Sequence, residues 1–202
     1  MVRKKIVLLL LNLLVATSIC KAESRDKWQK PELLFKSLEF NSKEDVFCEI
    51  GSGDGYFSIK ALAHAKKVIA SDVDLKVLEK LKEKIKTKNF RNIEVVKSTY
   101  TDPLFNSTKC DIIFMGMVYH HIENRVSYLK NLKKYLKKNG RIVNLDNVID
   151  VKKYEGTGKR IPAKECRFSK EKFLEEATQA GYRVYKKHDL LRMQYFVELK
   201  SI

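Results

Sequence analysis

Proline and glycine are scarce. Three prolines and eight glycines in 202 residues exclude a collagen-like or low-complexity chain, and no internal repeat is present. Cysteine is nearly as sparse, at positions 20, 48, 110 and 166. Neither a CxxC pair nor a His/Cys cluster with zinc spacing occurs, so no structural metal is expected. Without Cys20 the three remaining cysteines are too few for a full disulfide framework. Acid is the scarcer charge: 25 Asp and Glu face 41 Lys and Arg, a formal net charge of +16. Much of the surplus lies on Lys76, Lys80, Lys82, Lys84, Lys86 and Lys88, interleaved with Glu79 and Glu83, which reads chiefly as a solvated helix face. No aromatic stacking platform accompanies it, so nucleic acid is not the favoured partner. Contact with an anionic membrane surface is the weaker alternative.

A long apolar run is missing too. Arg3, Lys4 and Lys5 precede an apolar stretch from Ile6 to Ile19 that Asn12, Thr17 and Ser18 interrupt. It falls short of the ~20 residues of a spanning helix. Cys20 and Ala22 then supply small residues for cleavage, the layout of a secretory signal peptide. The expected division is residues 1–22 as signal peptide or N-terminal anchor and 23–202 as one α/β domain. That domain would be exported, or anchored with its bulk outside the cytoplasm. Bulky Ile19 argues against a lipid-modified Cys20.

Three of the eight glycines sit together, at 51, 53 and 55. The apolar run Val46 to Ile50 reads as a buried strand, and Tyr56 to Ala63 has helical apolar spacing. Strand, glycine turn and helix form the first half of a nucleotide-binding crossover. The dinucleotide pattern G-x-G-x-x-G would need glycine at 56, where Tyr stands. The pattern is instead Glu49-x-Gly51-x-Gly53-x-Gly55, which resembles the first motif of class I S-adenosylmethionine (SAM)-dependent methyltransferases. A second run, Val68 to Ser71, ends in Asp72, about 20 residues past the glycines, the distance of a ribose-binding acid. The alternative is that Asp72 or Asp74 only caps the helix beginning near Leu75; Asp74 is the better cap, leaving Asp72 for the ribose.

The rest continues the alternation. Arg25 to Phe40 reads as a leading helix, with Trp28 as a lid on the core or, less favoured, a ligand contact. Leu75 to Lys86 reads as a helix with Leu75, Leu78, Leu81 and Ile85 inward. Strands are expected at 93–97, 110–117 and 141–146, with a helix from Tyr128 to Lys138 stopped by Asn139-Gly140. Residues 148–168 read as an irregular loop able to fold over a pocket. A helix from Ser169 to Ala180 and a terminal hairpin, 182–190 with 194–199, close the chain. The resemblance covers about residues 28–199. It implies a three-layer Rossmann-like methyltransferase sheet, mostly parallel with an antiparallel strand in the terminal hairpin.

For this chain the resemblance implies that SAM lies against Glu49, Gly51, Ser52, Gly53, Gly55 and Tyr56, then Asp72 and Val73, Ser98 and Thr99, and Met115. Its methyl would point to the carboxyl end of the fourth strand, where Tyr119, His120 and His121 follow. An imidazole titrates near neutrality and could take a proton from the acceptor; either histidine could equally pack or cap. His121 is the preferred base, and Tyr119 could hydrogen-bond the acceptor. Adjacent histidines do not suit a shared metal. The expected activity is methyl transfer from SAM to a small-molecule or lipid acceptor. The alternatives are aminopropyl transfer, for which residues 98–123 offer few carboxylates, and a non-catalytic SAM- or nucleoside-binding protein.

Overall fold

The computed structural model describes residues 25–41, 44–148, 150, 152 and 168–202. The expected leader and nearly all of the expected loop at 148–168 lie outside them. The chain divides into two compact units, 1–38 and 39–202. In the first, the single leading helix is a correction: a helical stretch at 25–29 is separated from α1 (Pro31–Ser37) by Lys30, whose φ is +46°. The proline ring disfavours the right-handed helical region for the residue before it, so the helix restarts at Pro31.

The second unit is built on seven strands: β1 (Val46–Ile50), β2 (Lys67–Asp72), β3 (Ile93–Lys97), β4 (Cys110–Gly116), β5 (Leu136–Asn147), β6 (Tyr182–His188) and β7 (Gln194–Ser201). Their order is β3-β2-β1-β4-β5-β7-β6. The first five are mutually parallel, and β7 runs antiparallel between β5 and β6. Helices α2 (Tyr56–Ala61), α3 (Leu75–Thr87), α4 (Arg125–Leu132) and α5 (Lys170–Gln179) connect them. This is the Rossmann-like methyltransferase sheet that the motifs imply. Parallel strands covered on both faces must be apolar throughout. Four of the five β1 residues and four of the six β2 residues are buried. From β1 the chain winds outward through β2 to β3, then returns to place β4 on the other side, so a crevice opens at the carboxyl ends of β1 and β4.

One sheet face packs Phe47, Phe57 and Phe114, with ring centroids 5.1–5.5 Å apart. The other buries Ile50, Ile69, Ile113, Tyr119, Leu129 and Phe173. In that layer Cys48 and Cys110 form a disulfide between neighbouring strands, with their Cα atoms 6.1 Å apart. Cysteine counting excluded a framework of bridges but did not pick out this single one, which exists because β4 returns beside β1.

Two further boundaries differ from expectation. In α3, Leu78 and Leu81 are buried but Leu75, the first residue of the helix, is 53% exposed. The helix expected to reach Lys138 stops at Leu132, and β5 begins at Leu136. Cys110 pairs with Leu136 and Ile112 with Arg141, so residues 137–140 bulge out of the ladder. Gly140 ends that bulge against β4: a Cβ there would lie 2.7 Å from the Cys110 carbonyl oxygen. Asp74 caps α3 through Lys76 N–H, and Ser169 caps α5 through Lys172 N–H.

The disulfide closes a separation of 62 residues. In the chain-entropy model such a loop is worth about 4 kcal/mol. A Cys48→Ser/Cys110→Ser double variant is expected to lose a large part of that in urea denaturation. Thiol titration of the denatured wild type should find the pair oxidised; two additional free thiols there would refute the bridge.

Candidate functional site

The site is assembled from backbone turns. After β1, Gly51 adopts φ +69° and passes so close to the segment beyond β4 that a Cβ would stand 2.5 Å from a Val118 methyl. Gly53 also has a left-handed φ, +54°, and open space where its side chain would be, so the chain can bend here and leave room for a ligand. The Gly53 N–H donates to Asp72 Oδ2 at 2.8 Å, and the Asp74 N–H to Asp72 Oδ1 at 2.9 Å. Asp72 therefore ties the glycine turn to the end of β2. Each of its oxygens keeps a lone pair for an incoming donor.

Four strand ends converge on a cavity of about 510 Å³, within the size range of small-molecule sites. Its wall takes Ile50 and Gly51 from the end of β1, Asp72 and Val73 from β2, and Ser98, Thr99 and Tyr100 from beyond β3. Met117, Val118, His121 and Ile122 follow β4, and Tyr128 comes from α4. Among the predicted residues, Gly51, Asp72, Val73, Ser98, Thr99 and His121 are thus brought together.

Others serve behind the wall. Glu49 is 1% exposed and accepts a hydrogen bond from Ser58, so it braces the start of α2. Ser52 is buried, with its N–H on the Ser71 carbonyl, and Gly55 lies against Leu81. Tyr56 stacks edge-on to Phe57 under Lys60. Met115 is a correction. It is fully buried in register with Ile50 and Asn144, and the methionine that reaches the cavity is Met117. Met117 lies past the end of β4 with a left-handed φ of +64°, where the chain turns and the side chain is only partly buried.

Tyr119 is also a correction. Its hydroxyl is sealed in the core and donates to Glu176 Oε2 at 2.7 Å, not to an acceptor. Burial, and then the Glu176 carboxylate, push its phenol above the ordinary range. Arg125 Nε donates to the same oxygen at 2.9 Å, which pins the Tyr119–His121 turn to α5. The two histidines separate. His121 lines the cavity, whereas His120 has a side chain only 3% exposed and turns to β5, with Nδ1 2.9 Å from both oxygens of Asp146. Loss of water around the ring, then the charge of His120, hold the His121 pKa below that of an ordinary imidazole, and Asp146 opposes them.

The sequence reading missed Ile50, Tyr100, Met117, Val118, Ile122 and Tyr128. Val118 and Ile122 flank the histidines and were legible by position alone, while Tyr128 reaches the cavity only because α4 packs there. Beyond β3, Thr99 and Asp102 hold each other's backbone groups, and Asp102 accepts from Asn131, Lys134 and Tyr135. Burial alone would raise the Asp102 pKa; those hydrogen bonds prevail and hold it far below the carboxylate range. The Ser98–Tyr100 wall is thereby anchored to the end of α4. No group of three or more potential metal ligands occurs among the described residues.

Known proteins agree with this geometry. Residues 48–144 match the family model described as a methyltransferase domain. A demethylmenaquinone methyltransferase of Staphylococcus saprophyticus is 30% identical over 131 residues, which is 64% of this chain and 54% of that protein. One from Staphylococcus carnosus is 29% identical over the same length. The chain spans about half the length of these curated relatives. Among solved structures, a SAM-dependent methyltransferase from Aquifex aeolicus superposes with a TM-score of 0.74 at 22% identity, over 85% of this chain and 89% of that one. A TehB-like SAM-dependent methyltransferase from Corynebacterium glutamicum gives 0.67 at 16%, over 95% and 97%. Residues 48–144 are thus similar to a methyltransferase domain, and the chain shares the Rossmann-like fold of SAM-dependent methyltransferases.

SAM fits the residues present. Gly53, which does not itself line the cavity, has open space beside it, and the cavity offers an acid with spare lone pairs in Asp72, polar Ser98 and Thr99, and apolar Met117 and Ile122. Asp72→Ala is expected to cost roughly 1.5–3 kcal/mol of SAM affinity, the worth of a hydrogen bond to a charged group. Calorimetry checks this; an unchanged affinity with circular dichroism intact would leave Asp72 as a tie for the glycine turn only.

Proposed function

We propose that this protein transfers the methyl group of SAM to a small-molecule or lipid acceptor that enters beside His121. The observation that carries this reading is one cavity shared by the glycine turn, Asp72 and His121. Bound SAM supplies an electrophilic methyl on a sulfonium, and transfer breaks the S–CH3 bond with its electron pair left on sulfur. The protein's share is to hold both reactants in line, since orientation alone can remove several kcal/mol of barrier. Gly51 and Val118 bring the cofactor turn and the segment after β4 into contact. Where the acceptor atom is a protonated oxygen or nitrogen, His121 takes that proton as the new bond to carbon forms. An imidazole held below its ordinary pKa is unprotonated at neutral pH, as a base must be.

The names of the Staphylococcus relatives make demethylmenaquinone an acceptor to assay, beside lipid extracts, phenols and thiols. A place outside the cytoplasm is part of the same reading: buried disulfides persist chiefly in oxidising compartments, and the Cys48–Cys110 bridge accords with the leader-like first 22 residues. The basic surface would suit an anionic membrane.

Methyl uptake from labelled SAM identifies the acceptor. With it, His121→Ala is expected to lower turnover about 10²–10⁴-fold while leaving SAM affinity nearly unchanged, because a base acts in the transition state. The wild-type rate should fall only below the pH at which His121 gains its proton, on the acid side of an ordinary imidazole. Turnover near normal in His121→Ala, with an unaltered pH profile, would exclude the histidine and leave alignment as the whole of catalysis.

A further inference from the structure

We propose that Asp146 and His120 are a positioning pair that sets the orientation and charge state of His121. The function assigned to His121 rests on the methyl-transfer reading; the pair itself is read from geometry. Asp146 belongs to β5 and is fully buried. A buried carboxylate must be compensated, and this one has the Asn147 N–H on Oδ1 at 2.8 Å and His120 Nδ1 within 2.9 Å of both oxygens. Nδ1 therefore carries a proton and donates it, which fixes the ring's tautomer and plane.

Neither member of the pair lines the cavity, so neither touches a reactant there. The His120 ring instead lies against His121, with centroids 4.0 Å apart and planes 50° from each other. The backbone allows little else: the His121 N–H is held by the Val118 carbonyl and the Ile122 N–H by that of Tyr119. His121 thus has a ring of fixed orientation beside it and a carboxylate one residue-width further in. Across the cavity the titratable groups are Asp72 after β2, Tyr100 after β3 and Tyr128 of α4. On its own loop Glu123 and Arg125 follow, the latter engaged by Glu176.

The directions of the two effects differ. The His120 ring disfavours a proton on His121, and the Asp146 carboxylate favours one. Were the His120 ring only to fill space beside His121, its replacement by a side chain that still holds Asp146 would leave the His121 titration where it is.

The test is an NMR titration of the imidazole Cε1–H groups of the full chain across about pH 5 to 9, with His121→Gln assigning the resonance. His120→Asn retains a donor for Asp146 and removes the imidazole. The wild-type His121 midpoint is expected on the acid side of an ordinary imidazole, and in His120→Asn it should move up. His120→Gln is a second replacement should Asn unfold the turn, with circular dichroism reporting the fold. An ordinary midpoint in the wild type, or one that stays put in a folded His120 variant, would overturn the proposal. SAM binding measured on the same samples keeps the readings apart: its absence would remove the methyl-transfer reading while the titration still decides the role of the pair.

Discussion

Everything at the cavity depends on one carboxylate held by two backbone N–H groups. Asp72 ends β2, and its bond to the Gly53 N–H fastens a glycine turn that begins at the end of β1. It works beside the bond from the Ser52 N–H to the Ser71 carbonyl, and together they hold three residues of left-handed backbone, Gly51, Gly53 and Gly55, against the end of β2. With both, β1 and β2 deliver their carboxyl ends as a single rigid rim. The same group then retains lone pairs toward the cavity, so the atom that builds the turn is also placed to recognise a polar ligand.

A second layer of buried, hydrogen-bonded carboxylates does for β4 what Asp72 does for β1. Glu176 of α5 receives Tyr119 and Arg125, and Asp146 of β5 receives His120. The short turn at 119–121 is thus gripped from both sides, with His121 alone left at the cavity. Removing one partner of such a pair leaves a buried charge uncompensated, which is more costly than never having built the pair. The turn is stiff for that reason, and stiffness is what in-line transfer asks of the groups that position it.

The order of strands was legible because parallel strands are short, apolar and closed by glycine or acid, as Val46–Ile50 and Val68–Asp72 both are. The cofactor half of the site was legible for the same reason: Gly51, Asp72, Ser98 and Thr99 follow strand ends. The acceptor half was not. Sequence offered Tyr119, His120 and His121 with His121 preferred as the base, but what sets the three apart is burial against Glu176 and Asp146. Those partners lie 57 and 26 residues away, on elements whose faces no local pattern identifies. Leu75 misled for a related reason, since periodicity states which way a side chain points but not whether anything covers it there.

The most direct measurement is a calorimetric titration of the full chain with SAM and with S-adenosylhomocysteine. Saturable one-to-one binding of both is expected, with the affinity for each weakened when a Gly53→Val side chain enters the open space beside the turn. Failure of the folded wild-type protein to bind either compound would contradict the assignment of this cavity and the activity built on it.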